Sequence, residues 1–236
     1  MRTALQKNTA IRLFYDSTES ELNHEYTIDG VLGSGANCFV YNAHWTGCDG
    51  QAHHVRLKEC FPARAEASRL PTHSVHWEDT QEKEIALKRF YHAYEACLQF
   101  QTYTETNNAT AHIIDGLLWG NSTRYVVIDV DEGTVYSSII NDSIHDMFKT
   151  ILALTQITKK YHDAGYLLLD IKPDNLLILP ETRELIKIID FDSILSKIDI
   201  RNKETPISYS YDFAAPELCA GDRKRICDAT DFYSIG

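Results

Sequence analysis

Leu168-Leu169-Asp170-Ile171-Lys172-Pro173-Asp174-Asn175, followed fifteen residues after Asn175 by Asp190-Phe191-Asp192, is the stretch on which the reading of this chain turns. An acid, Asp170, and an amide, Asn175, stand five residues apart in a loop between apolar runs. Asp190 closes another apolar run, residues 185–189. Carboxylates and an amide are hard oxygen ligands, and grouped at strand ends they suit Mg2+ and phosphate chemistry. Turn residues that cap strands would account for any one of these side chains, but not for all of them in this order.

Upstream, residues 144–164 carry Met147, Phe148, Ile151, Leu152, Leu154 and Ile157 at near-helical spacing, with Gly165 placed as a C-cap. Short apolar runs follow at 167–169, 176–179 and 185–189, the last two joined by a tight turn, Pro180-Glu181-Thr182-Arg183. The first half of the chain has a period of two instead. Residues 26–28, 38–45 and 52–60 read as strands, with a turn cluster at 46–50. Residues 61–79 read as irregular, broken by Pro62 and Pro71, and 80–100 as a helix. Two more strands, 112–119 and 124–130, are joined by Gly120-Asn121-Ser122. Residues 1–24 are polar and weakly patterned and read as an N-terminal extension. A strand-rich first half and a helix-led second half imply two lobes.

Composition narrows the partners. The 236 residues are 44% hydrophobic and 24% charged, an ordinary globular balance. Lys+Arg is 23 and Asp+Glu 34, a formal charge of −11, which disfavours a nucleic acid or an anionic membrane surface. No apolar run reaches the roughly 20 residues of a membrane span, and the N-terminus does not open a signal peptide. Six cysteines without CxxC pairs read as reduced thiols, hence a cytoplasmic protein. The histidines are dispersed, and His53-His54 beside a strand reads as surface or packing.

Gly33-Ser34-Gly35-Ala36-Asn37-Cys38-Phe39-Val40 lies between two strands, where glycines let backbone amides approach a phosphate. Taken with Val55-Arg56-Leu57-Lys58, the 168–175 loop, Asp190-Phe191-Asp192, Ala215-Pro216-Glu217 and Asp231-Phe232-Tyr233-Ser234-Ile235-Gly236, the order resembles the eukaryotic-type Ser/Thr protein kinase domain. The resemblance implies an α+β, protein-kinase-like bilobal fold. Its N-lobe, residues 25–130, would hold a five-stranded antiparallel sheet and one helix. Its C-lobe, residues 131–236, would be mainly helical and cut short after the start of its anchoring helix.

The family's roles then fall on particular residues as implications of that resemblance. Gly33 and Gly35 would cradle phosphates, and Lys58 would hold the α- and β-phosphates of ATP. Asp170 would orient the substrate hydroxyl and accept its proton, with Lys172 near the transferred phosphoryl, while Asn175 and Asp190 would ligate Mg2+. Glu95 is the expected helix partner of Lys58, because Leu98 then falls one turn on; Glu84 is the second choice. Ile128, Asp129 and Val130 resemble the gatekeeper and hinge, and Val40 and Leu177 would sandwich the base. Lys172, two residues after Asp170, matches the Ser/Thr-specific pattern. Counting back from Glu217 puts Ser210 at the position that contacts the catalytic loop, rather than Thr205. The implied partner is a protein substrate.

Four departures stand against that pattern. Leu168-Leu169 replaces His-Arg, removing the cation that clamps a phosphorylated activation loop, so activity is expected not to require that phosphorylation. Asp192 replaces a glycine and Cys38 the third loop glycine. Arg56 shares a strand face with Lys58 where the family has a small alanine; it either obstructs the base or lies along the strand as a surface arginine. Two alternatives to an active Ser/Thr kinase follow: a nucleotide-binding pseudokinase acting as scaffold, or a small-molecule kinase of the same fold.

Overall fold

In β4 (Ala52–Cys60), Val55, Leu57 and Glu59 are buried and alternate with half-buried Arg56 and Lys58, the signature of a strand with one face inward. A computed structural model describes residues 2–63, 66–102, 109–139, 142–179, 185–202 and 205–236. Two units emerge, Met1–Glu95 with His112–Val130 and Ala96–Ala111 with Asp131–Gly236.

In the first unit, β1 (Ala10–Phe14), β2 (Leu22–Ser34), β3 (Cys38–Thr46), β4, β8 (Thr123–Ile128) and β7 (Ile113–Gly120) form a closed barrel in the order β1-β2-β3-β4-β8-β7. Its interior is filled by Leu13, Tyr26, Ile28, Tyr41, Leu57, Phe61, Leu118 and Tyr125. Closure depends on β1, which pairs along β2 and meets β7 at Phe14 and Trp119. A Cβ on Gly120 would stand 2.5 Å from Leu13 and 2.8 Å from the Arg12 carbonyl, so only glycine lets β1 lie this close.

Residues 10–14 belong to the sheet rather than to an extension, and the sheet has six strands rather than five. Ile11 and Leu13 do alternate inward, but five residues between polar flanks are a short signal. Leu5 is likewise buried in the barrel core. Residues 61–79, read as irregular, contain a hairpin of β5 (Ala67–Arg69) and β6 (Val75–Trp77), each too short to show a period. Between β6 and β7 runs α1 (Thr80–Thr102).

The second unit is led by α2 (Ile144–Asp163), whose Ser143 Oγ caps Asp146 N at 3.0 Å. Gly165, at φ +89°, ends it as the sequence implied. The helix buries Ala153, Leu154, Ile157 and Tyr161 and leaves Ile144, Phe148 and Leu152 exposed at i, i+4 and i+8. Short ladders follow. β11 (Leu176–Ile178) lies between β9 (Thr134–Val135) and β12 (Ile186–Ile188), and β10 (Tyr166–Leu167) pairs with β13 (Leu195–Ser196). These ladders bracket the acidic loops. Two short helices, α3 (Pro216–Cys219) and α4 (Asp228–Tyr233), complete the unit. The expected turn at 180–183 lies outside the described residues. Among the described residues, no helix is long and apolar enough to cross a membrane.

Candidate active site

Asp231, at the start of the chain's last helix, organises the loop after β10. Its buried carboxylate accepts hydrogen bonds from Leu168 N and Leu169 N, each at 2.8 Å, and meets His162 Nε2 at 2.8 Å. Leu169 is held at φ +63°, a left-handed conformation that costs a residue with a Cβ about 1–3 kcal/mol. The bond to Asp231 holds it there, and the next residue, Asp170, is presented with its own partners.

Those partners fix both carboxylate oxygens. Asp170 Oδ1 accepts from Ser210 N at 2.8 Å. Oδ2 accepts from Lys172 Nζ at 2.8 Å and from Asn175 Nδ2 at 3.2 Å. Lys172 also donates to Ser210 Oγ at 2.7 Å, so one ammonium ties the acid to the segment before Ala215-Pro216-Glu217. Ser210, found by counting back from Glu217, is where that count put it. Asn175 is buried and spends its amide nitrogen on Asp170, on the carbonyl at 2.9 Å as well as the carboxylate, so that Oδ1 is the atom it could offer a cation.

The second acidic segment is tethered to the first through the β11–β12 ladder. Ile189 N donates to the Asn175 carbonyl at 3.0 Å, which sets Asp190 one residue away. Asp190 Oδ1 accepts from Asp192 N at 3.1 Å. Phe191 is buried with its ring 6.3 Å from Phe100 and 6.1 Å from Tyr161. Leu177 sits on β11, buried, opposite Lys187 and Val135.

In the first unit, Lys58 stands directly between Val40 and Val126 on neighbouring strands, and Arg56 between Asn42 and Ile128. Directly opposed residues share a face, so Val40, Lys58, Arg56 and Ile128 are on one side of the sheet. Gly33 pairs with Val40, and a Cβ there would meet nothing within 4 Å. Gly35 N donates to Cys38 O at 3.0 Å, closing the loop. Asp129 N donates to His112 O at 2.8 Å, and Asp129 and Val130 are exposed.

One expected pair is not assembled. Glu95 is exposed on α1, and its carboxylate is taken by the Tyr91 hydroxyl one turn back rather than by Lys58. The buried residues of α1 are Phe90, Ala96, Cys97 and Phe100, and Glu95 lies about 140° round the helix from Phe90. Leu98, the anchor used to choose Glu95, is itself 38% exposed, and Glu84 is exposed too.

Two features escaped the sequence. The Arg2 guanidinium donates to Ser34 Oγ at 3.2 Å, Gly35 O at 2.9 Å, Cys38 O at 3.1 Å and Phe61 O at 2.7 Å, and lies over the Phe39 ring. It pins the glycine loop from the inside of the N-terminus, and no spacing rule foretells it. Beside Lys58, buried Glu59 forms a two-pronged pair with Arg69, at 2.6 and 3.1 Å, and accepts from the hydroxyls of Tyr41 and Tyr125. An acid at an inward position of an alternating strand was the available signal.

A family profile described as "Protein kinase domain" matches residues 26–236. The chain belongs to the protein kinase family. Myosin light chain kinase family member 4 of Mus musculus is 32% identical over 115 residues, covering 47% of this chain and 29% of that protein. The match thus spans under a third of that relative's length. A solved structure titled "PpkA-294 apo form" superposes on 98% of this kinase chain and 75% of its own, with TM-score 0.67 and 19% identity, a likeness of fold.

The acidic loops of the second unit carry a donor set that fits a divalent metal ion. Asn175 Oδ1 and the carboxylates of Asp190 and Asp192 are hard oxygens grouped on adjoining loops of one unit. In the other unit, the space beside Gly33 and Gly35 is open where side chains would stand, Gly35 having only Cys38 O at 3.9 Å from a built Cβ.

Proposed function

We propose that this protein kinase transfers the γ-phosphoryl group of ATP, with Mg2+, to serine and threonine hydroxyls of protein substrates. The observation that carries this is the Asp170–Lys172–Ser210 arrangement: an acid with both oxygens held by donors, and an ammonium bridging it to the segment before Ala215. Asp170 orients the attacking hydroxyl and takes its proton, and Lys172 offsets charge on the transferred phosphoryl. Lys58, Gly33, Gly35, Val40, Ile128, Asp129, Val130 and Leu177 are the nucleotide-contacting residues of this reading. Asn175 and Asp190 hold Mg2+, which when bound neutralises charge on the phosphates. The acidic net charge of −11 supports a protein rather than a nucleic-acid partner, and the absence of disulfides among the described residues supports a cytoplasmic setting.

A nucleotide-binding pseudokinase is the second reading. Arg56 beside Ile128 on the Lys58 face, and Glu95 turned away from the buried stripe of α1, favour it. Incubation with labelled ATP, Mg2+ and a mixed protein substrate, followed by phosphoamino-acid analysis, separates the two. Phosphoserine and phosphothreonine without phosphotyrosine are expected. Nucleotide binding without any transfer would replace the first reading with the second.

A further inference from the structure

Three side chains that the kinase reading leaves unused converge on one side of the barrel. His44 and His54 are directly opposed across β3 and β4, with ring centroids 5.7 Å apart. Asp29 sits where the β2–β3 register slips between Ile28 and Gly30, a bulge of the kind that re-aims a side chain. Its oxygens lie 3.0 and 3.1 Å from His44 Nδ1, and Oδ2 lies 3.9 Å from His54 Nδ1. The three ligand atoms all fall within 4.8 Å of one another.

We infer that Asp29, His44 and His54 form a binding site for a divalent first-row transition cation, with Zn2+ the best-fitting ion. Ligands held at about 2.0–2.1 Å around a tetrahedral ion stand about 3.3 Å apart. Asp29 and His44 are already close to that spacing. His54, with 68% of its side chain exposed against 26% for His44 and 35% for Asp29, has room to close the remaining gap. Two imidazoles and one carboxylate select zinc-like ions over Mg2+ or Ca2+, and the exposed side leaves the fourth position to water. Binding through Nδ1 uses the neutral His44 tautomer that carries its proton on Nε2, so that the Nδ1 lone pair faces the ion. Neighbouring His53 does not compete, because it stacks on Trp45 at 4.1 Å on the opposite face of the strand. His54 and Lys58 share a face four residues apart, so the cation would sit about 13 Å along β4 from Lys58.

The test uses the full chain, stripped of metal, with the exposed thiols removed as Cys48→Ser, Cys219→Ser and Cys227→Ser. Calorimetric titration with Zn2+, run in excess Mg2+ so that the Asn175 and Asp190 loops are already supplied with the harder ion, is expected to show one site. Co2+ is expected to give the visible bands of a tetrahedral nitrogen–oxygen site without thiolate charge transfer. His54→Ala, an exposed change that leaves the barrel intact, and His44→Ala are each expected to weaken Zn2+ at least about tenfold. Circular dichroism checks that both remain folded. Failure to take up Zn2+, or uptake unchanged in the two folded histidine variants, would overturn the site. Neither outcome depends on whether the protein transfers phosphate.

Discussion

Glu59 occupies an inward position of β4, one residue after Lys58, where no solvent reaches its carboxylate. Arg69 meets it with two hydrogen bonds and is itself tied to Thr3 O at 2.7 Å and His73 O at 2.8 Å. Burial lowers the Arg69 pKa, but bonding and charge from Glu59 outweigh this and leave it raised. Taking away one partner of such a pair strands the other in the barrel interior, at a cost of about 3–5 kcal/mol. Arg69→Met is therefore expected to lower the unfolding free energy by that order in urea titration. The double variant Glu59→Gln, Arg69→Met is expected to recover much of the loss, because no charge is then left alone. A change below about 1 kcal/mol in the single variant, the range of an exposed pair, would contradict the account.

At the scale of elements, sustained alternation and long apolar spacing were legible; short or context-made features were not, nor was most of the 13-residue β2, read as a strand only at 26–28. β3, β4, β8 and α2 declare themselves because eight or more positions, or a run of inward residues, repeat the pattern. β1 has five residues and gains its stability from closing the barrel, a fact carried by Gly120 far downstream. Asp170, Lys172 and Asn175 meet because one loop fixes their spacing, and Ser210 joins them from the segment whose register is set by the count back from Glu217. The α1 glutamate was not legible, because choosing it required the helix phase, and Leu98 misled. The glycine loop depends on another non-local feature, the N-terminal segment before β1, which brings Arg2 to Gly35 and Cys38. Arg2→Ala is expected to raise amide hydrogen exchange across residues 33–38 while leaving β7 and β8 protected. Unchanged exchange in that loop would mean Arg2 rests on it without holding it.

For the whole molecule, buried tyrosines set an alkaline limit. Burial raises the pKa of Tyr26, Tyr41, Tyr125 and Tyr161 well above the ordinary value of 10.0, with Glu59 adding to the effect at Tyr41 and Tyr125. Below pH 10 these phenols are neutral in both folded and unfolded chains, and their contribution to stability is complete. Above it the unfolded chain ionises first, so stability falls as pH rises toward the folded values. Of the thirteen tyrosines, those four are expected to yield tyrosinate absorbance only together with loss of ellipticity; ionisation before unfolding would contradict their burial.

Asp170, held by Lys172, Asn175 and Ser210, is proposed as the group that activates the attacking hydroxyl. Its most direct test is the turnover number for phosphoryl transfer in the unaltered chain and in Asp170→Asn, with melting temperatures compared as a check on folding. The variant is expected to melt alongside the parent and to lose transfer by about a hundredfold or more, the range of a general base. A folded Asp170→Asn that transfers phosphate at the parental rate would contradict that role.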